Sequence, residues 1–559
     1  MKTKISFLIS FTVLFFKICI FSTYAQTWLW STVIHDSEVQ TQIEIKQCID
    51  ENKNVYIASY YRNMTYPASL PCPAPSDLDN IFIAKYDSAG AFVWIKSFGG
   101  NNPYPSAPNW IGYSERPYSM TIDTINHCIY ASGRFYDSAQ FGNTTLTSYT
   151  PGTICEFVMK MDYNGNVEWA KKMINFKSFS MSTDQNGFLY MKGGTQYTTM
   201  FDNIAIATNC YFISKIKANG DHVWTKKITE SGDFNPANII VSNNHIFVNG
   251  YSLNDTITMG TVVKYVPAGT KWSVLGCLDM DGNAQWLSLY AGTNSECGAK
   301  FSVDPAAGSI YTTGYFTGEG YFGDDTLSSQ PGEQHMFLAK HDSTGQLVWA
   351  KQIHSNITSR GYCISSIVDS ILYVSGWFSG KAFFNDTLTA ESSQDMFVAR
   401  YNLDGECITA RNFGKAVGVC VDQDNNHAAY VSGIYSSNIT IGAEYYTIDG
   451  MGDREHYLAK LSSDIGTGLN KTAPNTNNLL TIYANPNTGK CKINIPEEFS
   501  NEKNLSLLIF DLQGKQIQHA KIAILDDKIQ VNIEAEAKGT YNAVLTNGIK
   551  SYTGKIIFE

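Results

Sequence analysis

Six aromatic side chains, Tyr61, Tyr66, Tyr104, Trp110, Tyr113 and Tyr118, fall in two stretches that interrupt an otherwise regular chain. One stretch runs from Tyr60 to Asn80, is proline rich and holds Cys72. The other runs from Gly99 to Tyr118 among Gly, Asn and Pro residues. An exposed Tyr or Trp ring offers a flat apolar face with a polar tip, which stacks on a sugar ring or anchors a peptide. These six residues are the candidate ligand-binding set, for a glycan or a protein. The plainer alternative is that the rings only pack on the rim of the elements beneath them.

Metal and covalent chemistry leave little trace. Asp279-Met-Asp281-Gly282 and Asp422-Gln-Asp424-Asn-Asn426 look like the start of a calcium loop, but neither continues to a Glu at the twelfth position. An Asp at such a place more simply caps the backbone of its own turn. Gly-x-Ser-x-Gly, His-Glu-x-x-His and P-loop patterns are absent, and the 10 His are scattered. We expect no metal site and no cofactor. The 12 Cys include no Cys-x-x-Cys pair, so most read as small buried hydrophobes, although some can pair in an oxidising compartment. Paired carboxylates for glycoside chemistry can assemble from distant segments without a local motif. A polysaccharide-active enzyme therefore stands as the alternative to a binding protein.

The elements that position these residues repeat. The clearest copy of one unit is Phe337-Leu-Ala-Lys-His-Asp342-Ser-Thr-Gly345-Gln-Leu-Val-Trp349. It recurs at Phe82 to Trp94, Phe157 to Trp169, Phe212 to Trp224, Leu275 to Trp286 and Phe397 to Thr409, with a worn copy at Tyr457 to Gly466. Alternating apolar residues, an Asp-x-x-Gly turn and a return strand make each copy a β-hairpin. A second element is an apolar strand such as Ile129-Tyr-Ala-Ser-Gly133 or Leu372-Tyr-Val-Ser-Gly376, preceded by another apolar strand. Seven such Tyr strands are present, counting Val55-Tyr-Ile-Ala-Ser59, and successive glycines lie 57 to 64 residues apart. Four antiparallel strands repeated radially predict a seven-bladed β-propeller. Trp28 to Val33 is a Trp strand without a hairpin, and the last hairpin lacks its Trp strand, so the N-terminal strand is expected to complete the last blade. From Trp94 to Tyr130 the interval is 36 residues, against 21 to 26 in the other six units. That long loop and the one from Tyr60 to Asn80 belong to the same face of an antiparallel blade.

The ends differ from the middle. Residues 1–25, with Lys2 and Lys4 before an apolar run and Thr23-Tyr-Ala25 at the end, read as a signal peptide. Residues 26–463 are the propeller, 464–478 a Gly, Thr, Asn and Pro linker, and 479–559 a small β-sandwich of short strands. The fold class is all-β. Only 16% of residues are charged and the formal net charge is −10, which argues against nucleic acid as a partner. No other apolar run spans a bilayer, so the mature chain is expected to have no transmembrane segment.

The repeats resemble a bacterial β-propeller repeat family that reads Asp-x-x-Gly-x-x-x-Trp followed by a Tyr-x-x-Gly strand, across about 26–463. Lys217 replaces the Asp in the third copy and Thr409 the Trp in the sixth. The resemblance implies a fold and an extracellular setting, not an activity. The hairpin is also similar to the tryptophan-docking motif of quinoprotein dehydrogenases, but the Asp-to-Gly interval is shorter and no adjacent Cys pair is present, so the Trp is expected simply to pack between blades. The C-terminal part resembles the type A sorting domain of the type IX secretion system of Bacteroidetes. The matching segments are Ile482-Tyr-Ala-Asn485-Pro486-Asn-Thr-Gly489, then Ile509-Phe-Asp511-Leu-Gln-Gly514, then Gly539-Thr-Tyr541 with Lys555 before Phe558. It implies that the signal peptide takes the chain to the periplasm and that the secretion machinery reads residues 479–559. The expected function is a secreted or cell-surface binding or adhesion protein, with a spacer that binds nothing as the third possibility.

Overall fold

The structure is a computed structural model. It describes residues 28–463 and 480–559 apart from 35–44, 62–79, 101–114, 176, 196–198, 202–203, 208, 231–233, 267–270, 292–295, 436–437, 442–443, 448–454, 497–498, 501–504, 511–516, 518–520, 526–527 and 547–550. The chain forms two compact units, one within Gln26–Asp464 and one within Ile465–Glu559.

The hairpin turn shows why the repeat has its spacing. Asp342 Oδ1 accepts the amides of Thr344 and Gln346 at 2.9 and 3.0 Å, and Gly345 N–H closes the turn on the Asp342 carbonyl at 3.0 Å. Gly345 sits at φ +81°, where a side chain is strained. Asp87, Asp162 and Asp279 do the same in their copies, and in the sixth the carboxamide of Asn402 takes the carboxylate's place. The strands His335–His341 and Leu347–Ser355 leave this turn with a register slip between Lys340 and His341.

The Gly of the Tyr strand has a different cause. In the strand Ile371–Ser379, a Cβ on Gly376 would lie 1.9 Å from the Arg360 carbonyl oxygen. The neighbouring strand Thr358–Ile364 bulges between Gly361 and Cys363 and pushes its backbone towards that point. Gly133 stands likewise 2.2 Å from the Arg116 carbonyl.

Seven sheets of the large unit contain the same four-strand antiparallel order. Their innermost strands are Lys46–Ile49, Arg116–Asp123, Lys177–Thr183, Asn235–Ser242, Glu296–Val303, Thr358–Ile364 and Ala416–Gln423. Each packs against the innermost strand of the next sheet, and the last against the first, which makes a ring. The ring is joined by the N-terminal strand Trp28–Ile34, which pairs with Glu455–Leu461 as the outermost strand of the seventh sheet.

Two contacts fasten neighbouring sheets. In the first, the Trp of one hairpin lies on the turn glycine of the next. Trp30 covers Gly90, Trp94 Gly165, Trp169 Gly220, Trp224 Gly282, Trp286 Gly345 and Trp349 Gly405. The indole N–H of Trp30, Trp94 and Trp169 donates to the turn carbonyls of Ser88, Tyr163 and Ala218 at 3.2, 3.2 and 3.0 Å. Behind each indole stands the aromatic ring of its own sheet's Tyr strand, as in Tyr56–Trp94 and Tyr311–Trp349, with centroids 6.0 and 6.1 Å apart. The second contact is absent from the four-strand expectation. In the second to seventh sheets the connection between the Tyr strand and the hairpin holds a small extra hairpin, such as Ser138–Phe141 with Thr144–Thr147, or Lys381–Phe383 with Thr387–Thr389. Several reach back to the outer strand of the preceding sheet: Gln140 N–H donates to Gly99 O at 2.9 Å, Gly260 N–H to Ile228 O at 2.8 Å, and His354 pairs with Phe383.

The second unit has two antiparallel sheets. Ile482–Tyr483, Lys490–Asn494, Lys528–Asn532 and Lys521–Leu525 form one, and Ser506–Phe510, Gly539–Thr546 and Ser551–Phe558 the other. Ile493, Ile529 and Val531 from the first share a core with Ile509, Ala543, Leu545 and Ile556 from the second.

Two glycines separate the cost of the turn from that of the indole. Gly345 and Gly332 both have positive φ, but a Cβ at Gly345 would lie 2.5 Å from the Trp286 ring, whereas nothing lies within 4 Å at Gly332. In urea unfolding followed by Trp fluorescence, Gly332→Ala is expected to cost about 1 kcal/mol from backbone strain alone. Gly345→Ala is expected to cost roughly 2 kcal/mol more, because a packed ring must move.

Candidate functional site

The two unusual loops rise from bases that touch. Tyr61 pairs with Asn80, so the ends of the first loop meet. The Gly100 amide donates to Glu115 Oε1 at 3.3 Å, which draws the ends of the second together. The Arg116 guanidinium lies 4.4 Å from the centre of the Tyr60 ring and so links one base to the other. The loop tips, with Tyr66, Tyr104, Trp110 and Tyr113, lie outside the described residues.

Two of the six candidates are not loop residues. Tyr61 ends the strand Val55–Tyr61 with 3% of its surface exposed, its hydroxyl bonded to Ser97 Oγ at 2.5 Å and its ring edge-on to Phe82. It is a core residue, because the strand runs on to meet Asn80 before the chain turns. Tyr118 is half-buried in the innermost strand Arg116–Asp123, which continues through Pro117 by a bulge between Pro117 and Ser119.

A related arrangement, which the sequence reading missed, stands between the fifth and sixth sheets. Arg360 of the innermost strand Thr358–Ile364 pairs with Trp377, the residue after the motif glycine, just as Arg116 pairs with Arg134. Its guanidinium lies over two rings, 4.0 Å from the centre of Tyr315 on the preceding sheet and 5.0 Å from that of Trp377. Its Nε donates to Gln334 Oε1 at 2.7 Å. Arg116 is 2% exposed, whereas Tyr315, Gln334, Arg360 and Trp377 are all half-buried. The sequence signal was slight: Trp377 directly follows a Tyr-x-x-Gly motif, and Arg360 opens an apolar strand.

Several carboxylates at the other end of the inner strands are occupied by the turns there. Asp50, Asp184 and Asp424 each cap the turn after their strand and accept a Tyr hydroxyl, from Tyr56, Tyr190 and Tyr430. Asp424, in one calcium-like stretch, takes the amides of Asn426 and Ala428 at 2.9 and 3.0 Å and faces Lys460 Nζ at 3.4 Å. Asp279, in the other, caps its hairpin turn through the amides of Asp281 and Asn283. Partial burial pulls Asp279 and Asp342 upwards, but the turn hydrogen bonds outweigh it and hold both carboxyls below the usual range. Among the described residues, no group of three His, Cys, Asp or Glu is placed to hold a metal ion.

Burial pushes the thiols of Cys128, Cys155 and Cys277 up to about 12, so they are poor nucleophiles at neutral pH. His341 and His456 are buried, and desolvation lowers both to about 4. His341 stands 4.9 Å from the Tyr290 ring centre.

In the second unit the Asn-Pro segment is stitched to the last strand. Asn485 Oδ1 accepts the Ile557 amide at 2.7 Å and its Nδ2 donates to the Lys555 carbonyl at 2.6 Å. The backbone of Asn487 exchanges bonds with Ile557 and Glu559 at 2.8 and 2.9 Å. Gly489, at φ +94°, leaves no room for a Cβ against Glu534. Pro486 is exposed, Gly539 opens the central strand, and the Tyr541 hydroxyl donates to the Ala537 carbonyl. Asp511 and Gly514 lie outside the described residues.

A ring of radially packed four-stranded sheets defines a β-propeller, and the chain carries a second all-β unit after it. Residues 481–559 match the family described as "Secretion system C-terminal sorting domain", so the chain bears a sorting domain of the type IX system. Over 513 residues it is 21% identical to an uncharacterised WD repeat-containing protein of Acanthamoeba polyphaga mimivirus, covering 73% of this chain and 36% of that one, so it spans about a third of that relative. Among solved structures, the Dos1 propeller is similar at 9% identity and a TM-score of 0.41, over 79% of this chain and 96% of that one. The α-L-arabinofuranosidase arb93a of Fusarium graminearum is similar at 10% identity and a TM-score of 0.32, over 79% and 98%. A sorting domain of this kind marks a secreted or cell-surface protein. No helix among the described residues is long and apolar enough to cross a membrane.

The two buried histidines give a signed pH dependence. The unfolded chain takes up these protons near pH 6.5 and the folded chain only near 4. Their contribution to stability is therefore complete above pH 6.5 and is lost as the pH falls towards 4. Leu278 fills the place of His341 in the fourth hairpin. His341→Leu is expected to lose about 2 kcal/mol less stability than the native chain between pH 7.5 and 5, read from urea midpoints.

Proposed function

We propose that this chain is an exported recognition protein. In this reading a signal peptide of residues 1–25 delivers it to the periplasm, and the type IX machinery reads the sorting domain. The propeller of residues 26–463 then presents a ligand-binding face outside the cell, released or held at the surface. The binding face is the end of the inner strands where the two unusual loops rise. The observation that carries this reading is the half-buried aromatic and cationic cluster at that end of the inner strands. Aromatic and cationic groups stand half-exposed at one end, as in Tyr315, Arg360 and Trp377, while carboxylates such as Asp50, Asp184 and Asp424 cap turns at the other. Glycoside hydrolysis needs two carboxylates free to face a bond, one of them held protonated. Carboxylates engaged in capping support recognition over catalysis. Glycans and proteins both fit an aromatic surface of this kind.

A glycan array tests the proposal. The full chain is expected to bind a subset of glycans, and Trp110→Ala/Tyr113→Ala is expected to weaken that binding by about tenfold or more. Hydrolysis of an arrayed glycan by the wild-type chain would instead make it an enzyme.

A further inference from the structure

Arg360 is fixed in place but unpaired. The Gln334 backbone holds the start of its strand, with Ser359 N–H donating to Gln334 O at 2.8 Å and Gln334 N–H to Ile357 O at 3.3 Å. The Gln334 carboxamide oxygen takes the guanidinium Nε, and the guanidinium carbon lies over the rings of Tyr315 and Trp377. Among the described residues no carboxylate lies within ion-pair distance of Arg360, and its terminal nitrogens have no acceptor. Glu333, next to Gln334 in the chain, faces His335 at 3.2 Å, and Asp369, the acid closest to Arg360 in sequence, faces His427 at 3.4 Å. The Gln334 amide nitrogen and the Trp377 indole nitrogen have no acceptor among the described residues either. All the free polar atoms of this pocket that belong to those three side chains are donors.

We propose that Arg360, with Gln334, Tyr315 and Trp377, binds the oxyanion of an acidic sugar, a carboxylate or a sulfate ester, on the strand-end face. The proposal rests on the recognition reading above and names its ligand class. A guanidinium whose two terminal nitrogens are unengaged offers them for two parallel N–H···O bonds, the geometry that a carboxylate or sulfate matches. The Gln334 amide donates beside it, and the half-exposed rings offer apolar surface to the C–H face of a sugar. An acidic peptide supplies the oxyanion without that ring face, so the aromatic pair favours the sugar.

Titration calorimetry of the full chain with polygalacturonate, dextran sulfate, neutral dextran and polyglutamate tests this. The first two polymers separate carboxylate from sulfate as the source of the oxyanion. Binding of at least one of them is expected, weakened about tenfold or more in Arg360→Gln, with neutral dextran bound no better by either protein. Arg360→Lys keeps the charge but loses the two-pronged edge. It is expected to fall between the two, and it serves as the second variant if Arg360→Gln melts below the native chain. Undiminished binding of the acidic polymer by both variants overturns the Arg360 site while leaving the recognition face intact. Polyglutamate binding as tight as that of the acidic polysaccharide overturns the sugar. If no acidic polymer binds while the glycan array finds neutral ligands, only this inference fails. If both experiments find nothing, the recognition reading fails with it.

Discussion

An indole laid on a glycine turn ties one sheet of the propeller to the next at six of its seven junctions, and the ring depends on it. The turn glycine answers two demands at once. It adopts a φ that L-residues avoid, and it leaves bare the patch that the ring covers. The capping Asp keeps the turn rigid, and the Tyr strand behind the indole keeps the ring upright. This contact is built at six junctions. At the seventh, between the sixth and seventh sheets, Thr409 replaces the Trp, and the hairpin that would offer the glycine is the worn one. The indole of the contact is lost there. Arg400 Nη1 bridges that seam to the Ser463 carbonyl at 2.8 Å, and Trp28 meets Phe413 edge-on at 5.0 Å.

The same contact explains how much of the fold could be read in the sequence. Asp, Gly and Trp at fixed offsets have one mechanical meaning, so hairpins, Tyr strands and the completing N-terminal strand were all legible. The small extra hairpins were not. Lys381–Phe383 and Thr387–Thr389 are three residues each, too short for a period to show, and their partner is the outer strand of another sheet. In the second unit Lys521–Leu525 is hard to read for a similar reason, being a brief apolar run before Asp526 and Asp527.

The candidate site was legible only in outline. Loop length showed where the pattern breaks, and the touching bases at Tyr60 and Arg116 agree with one shared face. Composition could not show where a strand stops, so Tyr61 was placed in a loop although its ring belongs to the core. The cradle around Arg360 was out of reach, because Tyr315 and Trp377 come from different sheets and only the ring brings them to one guanidinium. The sorting motif, by contrast, is local chemistry: Asn485 and Gly489 stand where a side-chain amide and a missing Cβ let the segment lie along the last strand.

Native-state hydrogen exchange of the full chain tests most directly whether the indole–glycine contact holds the ring together. Amides of the outer strand Cys407–Asn412, which carries Thr409, are then the first of the outer strands to exchange, well before those of Val167–Ile174 or Leu347–Ser355, whose Trp residues are docked. Equal or greater protection of Cys407–Asn412 would contradict the account and move the source of cohesion to the inner strands.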